Sequence, residues 1–371
     1  MIIEKLFYEE SSWEIMSTLD VDRTKFQIVL LFVESSFQEE FQELSVLYPN
    51  ASIIISSTYG NILDTTATYF GTGIAIYFEK SSTYTTARKI NLKDPLDDIQ
   101  MMFNILRKEK NDLHHVLIFL PARINITPLE TFFNTSIEGI SANLLATSTG
   151  YHTSFCSTEM LQGDDIGVCI GLYGSKVHIQ TGCESGWYEF GPRRKITKVQ
   201  ENNVIEIDGV NAIELYKRYL GNHPDILSKE MKRFPLSVKE SVYDKEKAIR
   251  VVLDYDEDGA LVFLGTLKEG SIIRLMKTNI HNILDGAFLS AKKIRPNNTK
   301  QSVAFVMSCY TRKSVLRQFF EEELEIVQDI LTTKTQLVGS YTYGHFSKDY
   351  NSKEFKRFQN QSMGLTVLYE E

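Results

Sequence analysis

Two short hydroxyl-rich runs hold the residues best suited to bind something in this chain of 371 residues: Ser56-Ser57-Thr58-Tyr59-Gly60-Asn61-Ile62 and Ser340-Tyr341-Thr342-Tyr343-Gly344-His345-Phe346. Hydroxyls donate and accept hydrogen bonds, and a glycine free to take positive φ lets the backbone turn sharply and approach a ligand. Ser57, Thr58, Tyr59, Gly60 and Asn61 in one copy, and Thr342, Tyr343, Gly344 and His345 in the other, are therefore candidate ligand-binding residues. The alternative is that these hydroxyls only satisfy turn backbone groups.

Cys309-Tyr310-Thr311-Arg312 adds a cation and a thiol. The Arg312 guanidinium could grip a carboxylate through two hydrogen bonds, or pair with an acid on the following helix. Cys309 and His345 would make a thiol and base pair for amide hydrolysis if their strand ends are adjacent. His345, in a Tyr- and Phe-rich setting, is also a candidate axial ligand for haem, with His152 the second candidate and His178 and His281 behind it. His152, Cys156, Cys169 and Cys183 lack the tight local pairs usual for zinc, and the cysteines read as buried thiols. No nucleophile elbow, phosphate loop, dinucleotide fingerprint or His-Glu-x-x-His is present.

The elements that must carry these residues repeat as well. Ile28–Val33, a helical stripe of Phe37, Phe41, Leu44 and Leu47, and the run at 53–55 form one strand-helix-strand unit; Val303–Met307, the stripe from Val315 to Val327, and Leu337-Val338 form another. In the second, Glu321-Glu322-Glu323 reads as the wet side of the helix. Between the units, Thr72–Phe78 and Val116–Leu120 read as strands, Ser81–Thr86 as a polar turn region, and helices begin at Pro95 and at Thr127-Pro128. Short apolar runs between Gly and Ser turns predict antiparallel sheet over 141–197, with Arg193-Arg194-Lys195 a solvated strand edge. The segment 221–245 reads as an elaborated loop, with three antiparallel strands and the helix Ile280–Ala291 after it.

The fold class expected is α/β, mixed with α+β: two related domains, 1–202 and 203–371, each a mixed or antiparallel sheet flanked by helices, with an internal pseudo-repeat. Forty basic against 48 acidic residues give a formal charge of −8, which argues against nucleic acid as a partner. The start shows neither a basic n-region nor an apolar h-region, and no apolar run is long enough to span a bilayer. A cytoplasmic protein without membrane insertion is expected.

These motifs, in order, resemble the FIST (F-box and intracellular signal transduction) sensory proteins, built of an N-terminal and a C-terminal half. The family's Gly-Cys-Ser-Thr-x-Gly-Glu is similar to the segment ending Ser56-Ser57-Thr58-Tyr59-Gly60-Asn61. Its Ser-Cys-x-x-Arg resembles Ser308-Cys309-Tyr310-Thr311-Arg312, its Tyr-x-x-Gly-Glu resembles Tyr341-Thr342-Tyr343-Gly344-His345, and its Asn-Gln-Thr resembles Asn360-Gln361-Ser362. Asn61 and His345 replace the family's two glutamates. The resemblance implies a non-enzymatic sensor that binds a small, amino-acid-like ligand between its halves and regulates a separate histidine kinase, diguanylate cyclase or chemoreceptor. It also implies the alternative of a haem-based nitric oxide sensor acting on a histidine kinase.

Overall fold

The computed structural model describes residues 1–371 except 10–11, 17–19, 35–38, 122–123, 136–140, 145–152, 157–159, 201–202, 245–246, 264, 266, 296–299, 343 and 347–357. The fold is mixed α/β, and its repeated unit occurs three times. In each unit a strand is followed by a strand-helix-strand pair that runs parallel, then by a fourth strand that inserts between the first two and pairs antiparallel with both. In the first unit these strands are Ile2–Glu9, Ile28–Val33, Ser52–Ser57 and Thr72–Tyr77. In the second they are Ser82–Lys89, Leu113–Phe119, Ser141–Leu144 and Ile166–Tyr173. In the third they are Val177–Glu184, Ser302–Cys309, Thr335–Thr342 and Met363–Glu370.

Strand periodicity explains how the three units meet. Ile28, Leu30 and Phe32 point one way, as do Leu117 and Phe119, and Val303, Phe305 and Met307. All eight join one central cluster, so three sheets share a single core through their inner faces. The outer faces are covered separately: Val29, Leu31 and Val33 pack with Leu44 and Tyr48, while Val116 and Ile118 pack with Phe103 and Leu106. Ala304 and Val306 pack with Ala287, Leu324 and Val327. Strands covered on both faces read as the near-continuous apolar runs seen in the sequence.

Each unit also lends residues to a neighbour. The hairpin of Asn61–Leu63 and Thr66–Thr68 pairs with Thr335–Thr342 and places Ile62 in the outer cluster of the third unit. Thr153–Cys156, in a hairpin with Met160–Gly163, pairs with Ser52–Ser57 of the first unit. In the third unit an antiparallel bridge joins His345 to Gln359, and Phe346 and Phe358 beside it enter the outer cluster of the second unit.

Residues 188–277 are inserted into the third unit, ahead of the helix Ile280–Lys292, and carry their own sheet and their own apolar cluster. The division at 202/203 runs between two strands of that sheet, Tyr188–Gln200 and Asn203–Ile207.

Three sequence expectations are corrected. Residues 82–89 are a strand; its many Ser and Thr suit half-buried positions. The segment 221–245 holds the helix Pro224–Glu230 and the strand Leu236–Lys239. The helix after Cys309 is broken at Arg317, which has φ 54°, into Tyr310–Leu316 and Glu322–Leu331. Arg193-Arg194-Lys195, by contrast, keeps the expected character of a solvated strand edge: Arg194 and Lys195 pair with Ile273 and Ile272 on one side, the ladder with 203–207 begins only at Ile196, and Arg193 and Lys195 are exposed.

Candidate functional site

The two hydroxyl-rich turns meet side by side. The Tyr341 N–H donates to the Gly60 carbonyl at 3.0 Å, and Ser340 lies opposite Asn61 in the antiparallel register. Gly60 takes φ 131°, as its place in the turn suggested. Gly344 does not adopt positive φ. It is needed for space instead, since a methyl group there would collide with the Phe358 ring. Tyr343 and His152 lie outside the described residues.

The copies differ in how their polar groups are used. In the first, the Thr58 hydroxyl donates to Asn61 Oδ1, and Asn61 Nδ2 donates to the Phe70 carbonyl at 2.8 Å. Ser57, Thr58 and Asn61 are buried, and Tyr59 stacks obliquely on Tyr310 at 5.8 Å. This turn largely satisfies itself.

In the second copy, Thr342 shares the inner face of its strand with Val338, and Cys309 shares the inner face of the central strand with Met307. Register sets Cys309 beside Thr342, and the Cys309 N–H donates to the Ser362 carbonyl at 3.1 Å. The turn after Asn360 is tight, with Gln361 at φ 60°. Four side-chain atoms on these neighbouring stretches have no hydrogen-bond partner among the described residues: Thr342 Oγ1, His345 Nδ1, Gln361 Oε1 and Ser362 Oγ. Their residues are at most 2% exposed. An unpaired buried polar atom costs about 1–3 kcal/mol, so these four are candidate contacts for a bound polar molecule or water. Gln361 and Ser362 were not among the residues expected; the Asn360-Gln361-Ser362 motif was the available signal.

Arg312 realises the structural alternative. It is fully buried, donating from Nε (3.0 Å) and Nη2 (2.9 Å) to Glu323 Oε2. Its other bonds go to the carbonyls of Ser185 (2.5 Å) and Ile283 (2.9 Å). Glu323, expected on the wet side, is buried to meet it and also accepts from Ser308 Oγ at 2.8 Å. The guanidinium is thereby committed to the protein, not to a ligand carboxylate.

His345 Nε2 lies 3.4 Å from the sulfur of Cys183. Its ring is buried, and the backbone at Gly364 lies so close to it that a methyl group there would strike the ring. A porphyrin needs an open face beside the coordinating nitrogen, so this histidine does not fit haem, contrary to the sequence expectation. The thiol hydrolase reading is weakened likewise. Burial pushes the Cys309 thiol up despite hydrogen bonds from the Thr311 and Gln361 backbone, and the sulfur that meets the imidazole is Cys183's. Among the described residues no three His, Cys, Asp or Glu side chains gather as a metal site, and no helix is long and apolar enough to cross a membrane.

The insertion reaches this region at two points. Gln361 Nε2 donates to the Lys232 carbonyl at 2.8 Å. Arg250, also buried, donates to the Phe358 carbonyl (2.6 Å) and to Glu130 Oε1 (2.7 Å), and Glu130 accepts from the Phe358 N–H (3.1 Å).

Two family models match the chain, the FIST N domain over residues 27–210 and the FIST C domain over residues 212–348. No curated protein matches.

Proposed function

The chain belongs to the FIST family of signal-transduction sensor proteins, and from that premise we propose that it senses a small polar molecule at the inner-face cluster of Thr342, His345, Gln361 and Ser362. Cys309 and Gly344 form the floor of this site, and the self-satisfied turn Ser57–Asn61 is the wall that abuts it. Arg312 acts at a remove, tying the helix Tyr310–Leu316 to Glu323 and to the carbonyls of Ser185 and Ile283.

Four buried polar atoms on neighbouring stretches, without partners among the described residues, support this reading most directly. Ligand contact there would shift the turn 358–362 and, through Gln361 and Arg250, the inserted sheet. A separate output protein, a histidine kinase, diguanylate cyclase or chemoreceptor, would read that shift as a change in contact.

Thermal-shift screening of amino acids and related metabolites tests the proposal. A hit should raise Tm in the wild-type protein and lose at least about tenfold in affinity in Thr342→Val, which removes one site hydroxyl at nearly constant volume. A hit bound equally well by Thr342→Val and Ser362→Ala would place the site elsewhere.

A further inference from the structure

The committed bonds around the site limit the chemistry of what it can hold. Gln361 has its amide orientation fixed, because Nε2 donates to the Lys232 carbonyl at 2.8 Å. Its Oε1, a pure acceptor, is left as the open end. The Thr342 and Ser362 hydroxyls can accept as readily as they donate, and His345 Nδ1 takes either role according to its tautomer.

Among the described residues, the cations near this cluster are already engaged. Arg312 is balanced by Glu323 and also donates to the backbone carbonyls of Ser185 and Ile283. Lys293, beside Cys183, pairs with Glu184 at 2.6 Å and donates to the Cys183 carbonyl at 3.3 Å. Lys313 belongs to the outer face, where its ammonium lies over the rings of Tyr69 at 4.5 Å and Tyr341 at 4.8 Å. An anion brought into this buried cluster would meet an amide oxygen and two hydroxyls and no uncommitted cation among these groups. Desolvating a carboxylate under those conditions is strongly unfavourable.

Resting on the site proposed above, we infer that the ligand enters with a neutral hydrogen-bond-donating head, a primary amide or a ring N–H, and not with a carboxylate. The donor head satisfies Gln361 Oε1, and the flanking hydroxyls complete its contacts. Where the ligand also carries a carboxylate, that group faces away from the cluster.

Matched amide and acid pairs test this on the full chain: L-glutamine with L-glutamate, glutaramide with glutarate, and nicotinamide with nicotinate, each read by thermal shift and by calorimetry. The expected result is that at least one amide raises Tm and binds at least tenfold more tightly than its acid. That preference should vanish in Gln361→Met, with Thr342→Val and Ser362→Ala as alternatives should Gln361→Met fail to fold. An acid that binds as well as its amide, and loses affinity in Thr342→Val, would overturn the donor-head inference and leave the site standing. Amide binding unchanged in all three variants would overturn the site as well, and silence of every pair in the wild-type protein would overturn the inference.

Discussion

Arg312 and Glu323 are both fully buried, so truncating the arginine leaves a carboxylate with no charge partner in the interior. Arg312→Ala should lower stability by about 3–5 kcal/mol in urea titration, whereas the paired replacement Arg312→Met with Glu323→Leu should recover most of that loss. Glu370 gives a pH prediction. Desolvation raises its carboxyl, but the nearby Ser81 hydroxyl, the Lys80 and Glu79 N–H groups that donate to it and the N-terminal amine outweigh this and hold it below its ordinary 4.5. A carboxyl lowered in the folded state contributes stability that is complete above pH 4.5 and is lost as pH falls through the lowered value. Acid unfolding should therefore be less steep in Glu370→Gln, measured by circular dichroism from pH 6 to pH 2. At this scale the sequence was only partly legible. Thr58 and Thr342 occupy matching places in their motifs, yet only the structure shows that Asn61 occupies one hydroxyl while the other is left open.

Among the elements, the strand Val177–Glu184 and the helix Ile280–Lys292 pack so closely that a methyl group at Gly182 would collide with the Ser290 carbonyl. Gly182→Ala should cost about 1–3 kcal/mol, visible as a lowered urea midpoint with an unchanged m-value. Elements like these were readable wherever apolar periodicity was strong: Ile28–Val33, the helix Leu96–Glu109 with Ile99, Met102, Phe103 and Leu106 buried, and the helix Ile280–Lys292 were all expected close to their observed bounds. The strand Ser82–Lys89 was not, because a half-exposed strand built from Ser, Thr and Lys looks like a turn region in one dimension. The second unit of the repeat was hidden for a related reason. Its strands Leu113–Phe119 and Ser141–Leu144 belong to the same topology as the other two pairs, but no run recognised as matching Ser56–Ile62 signalled it.

In the molecule as a whole, the three sheets close around one core, and the lent hairpins make each unit incomplete without another. Residues 1–202 and 203–371 produced as separate chains should each be insoluble, since the split frees the edges of Thr335–Thr342, Met363–Glu370 and Tyr188–Gln200; co-expression should restore soluble protein, measured by size-exclusion chromatography. The tie from Gln361 to Lys232 predicts that a bound ligand slows hydrogen exchange in 231–239, and that Gln361→Met removes this effect without unfolding the insertion. The borrowed hairpin of Asn61–Leu63 has a further consequence during biosynthesis. Its docking strand, Thr335–Thr342, is made only after the whole of 64–334, so the nascent polypeptide must carry an unmatched β-ribbon while that stretch is synthesised. Holdase chaperones acting on the ribbon, and sensitivity of yield to translation speed between the two segments, are the cellular signature expected of such a delayed closure.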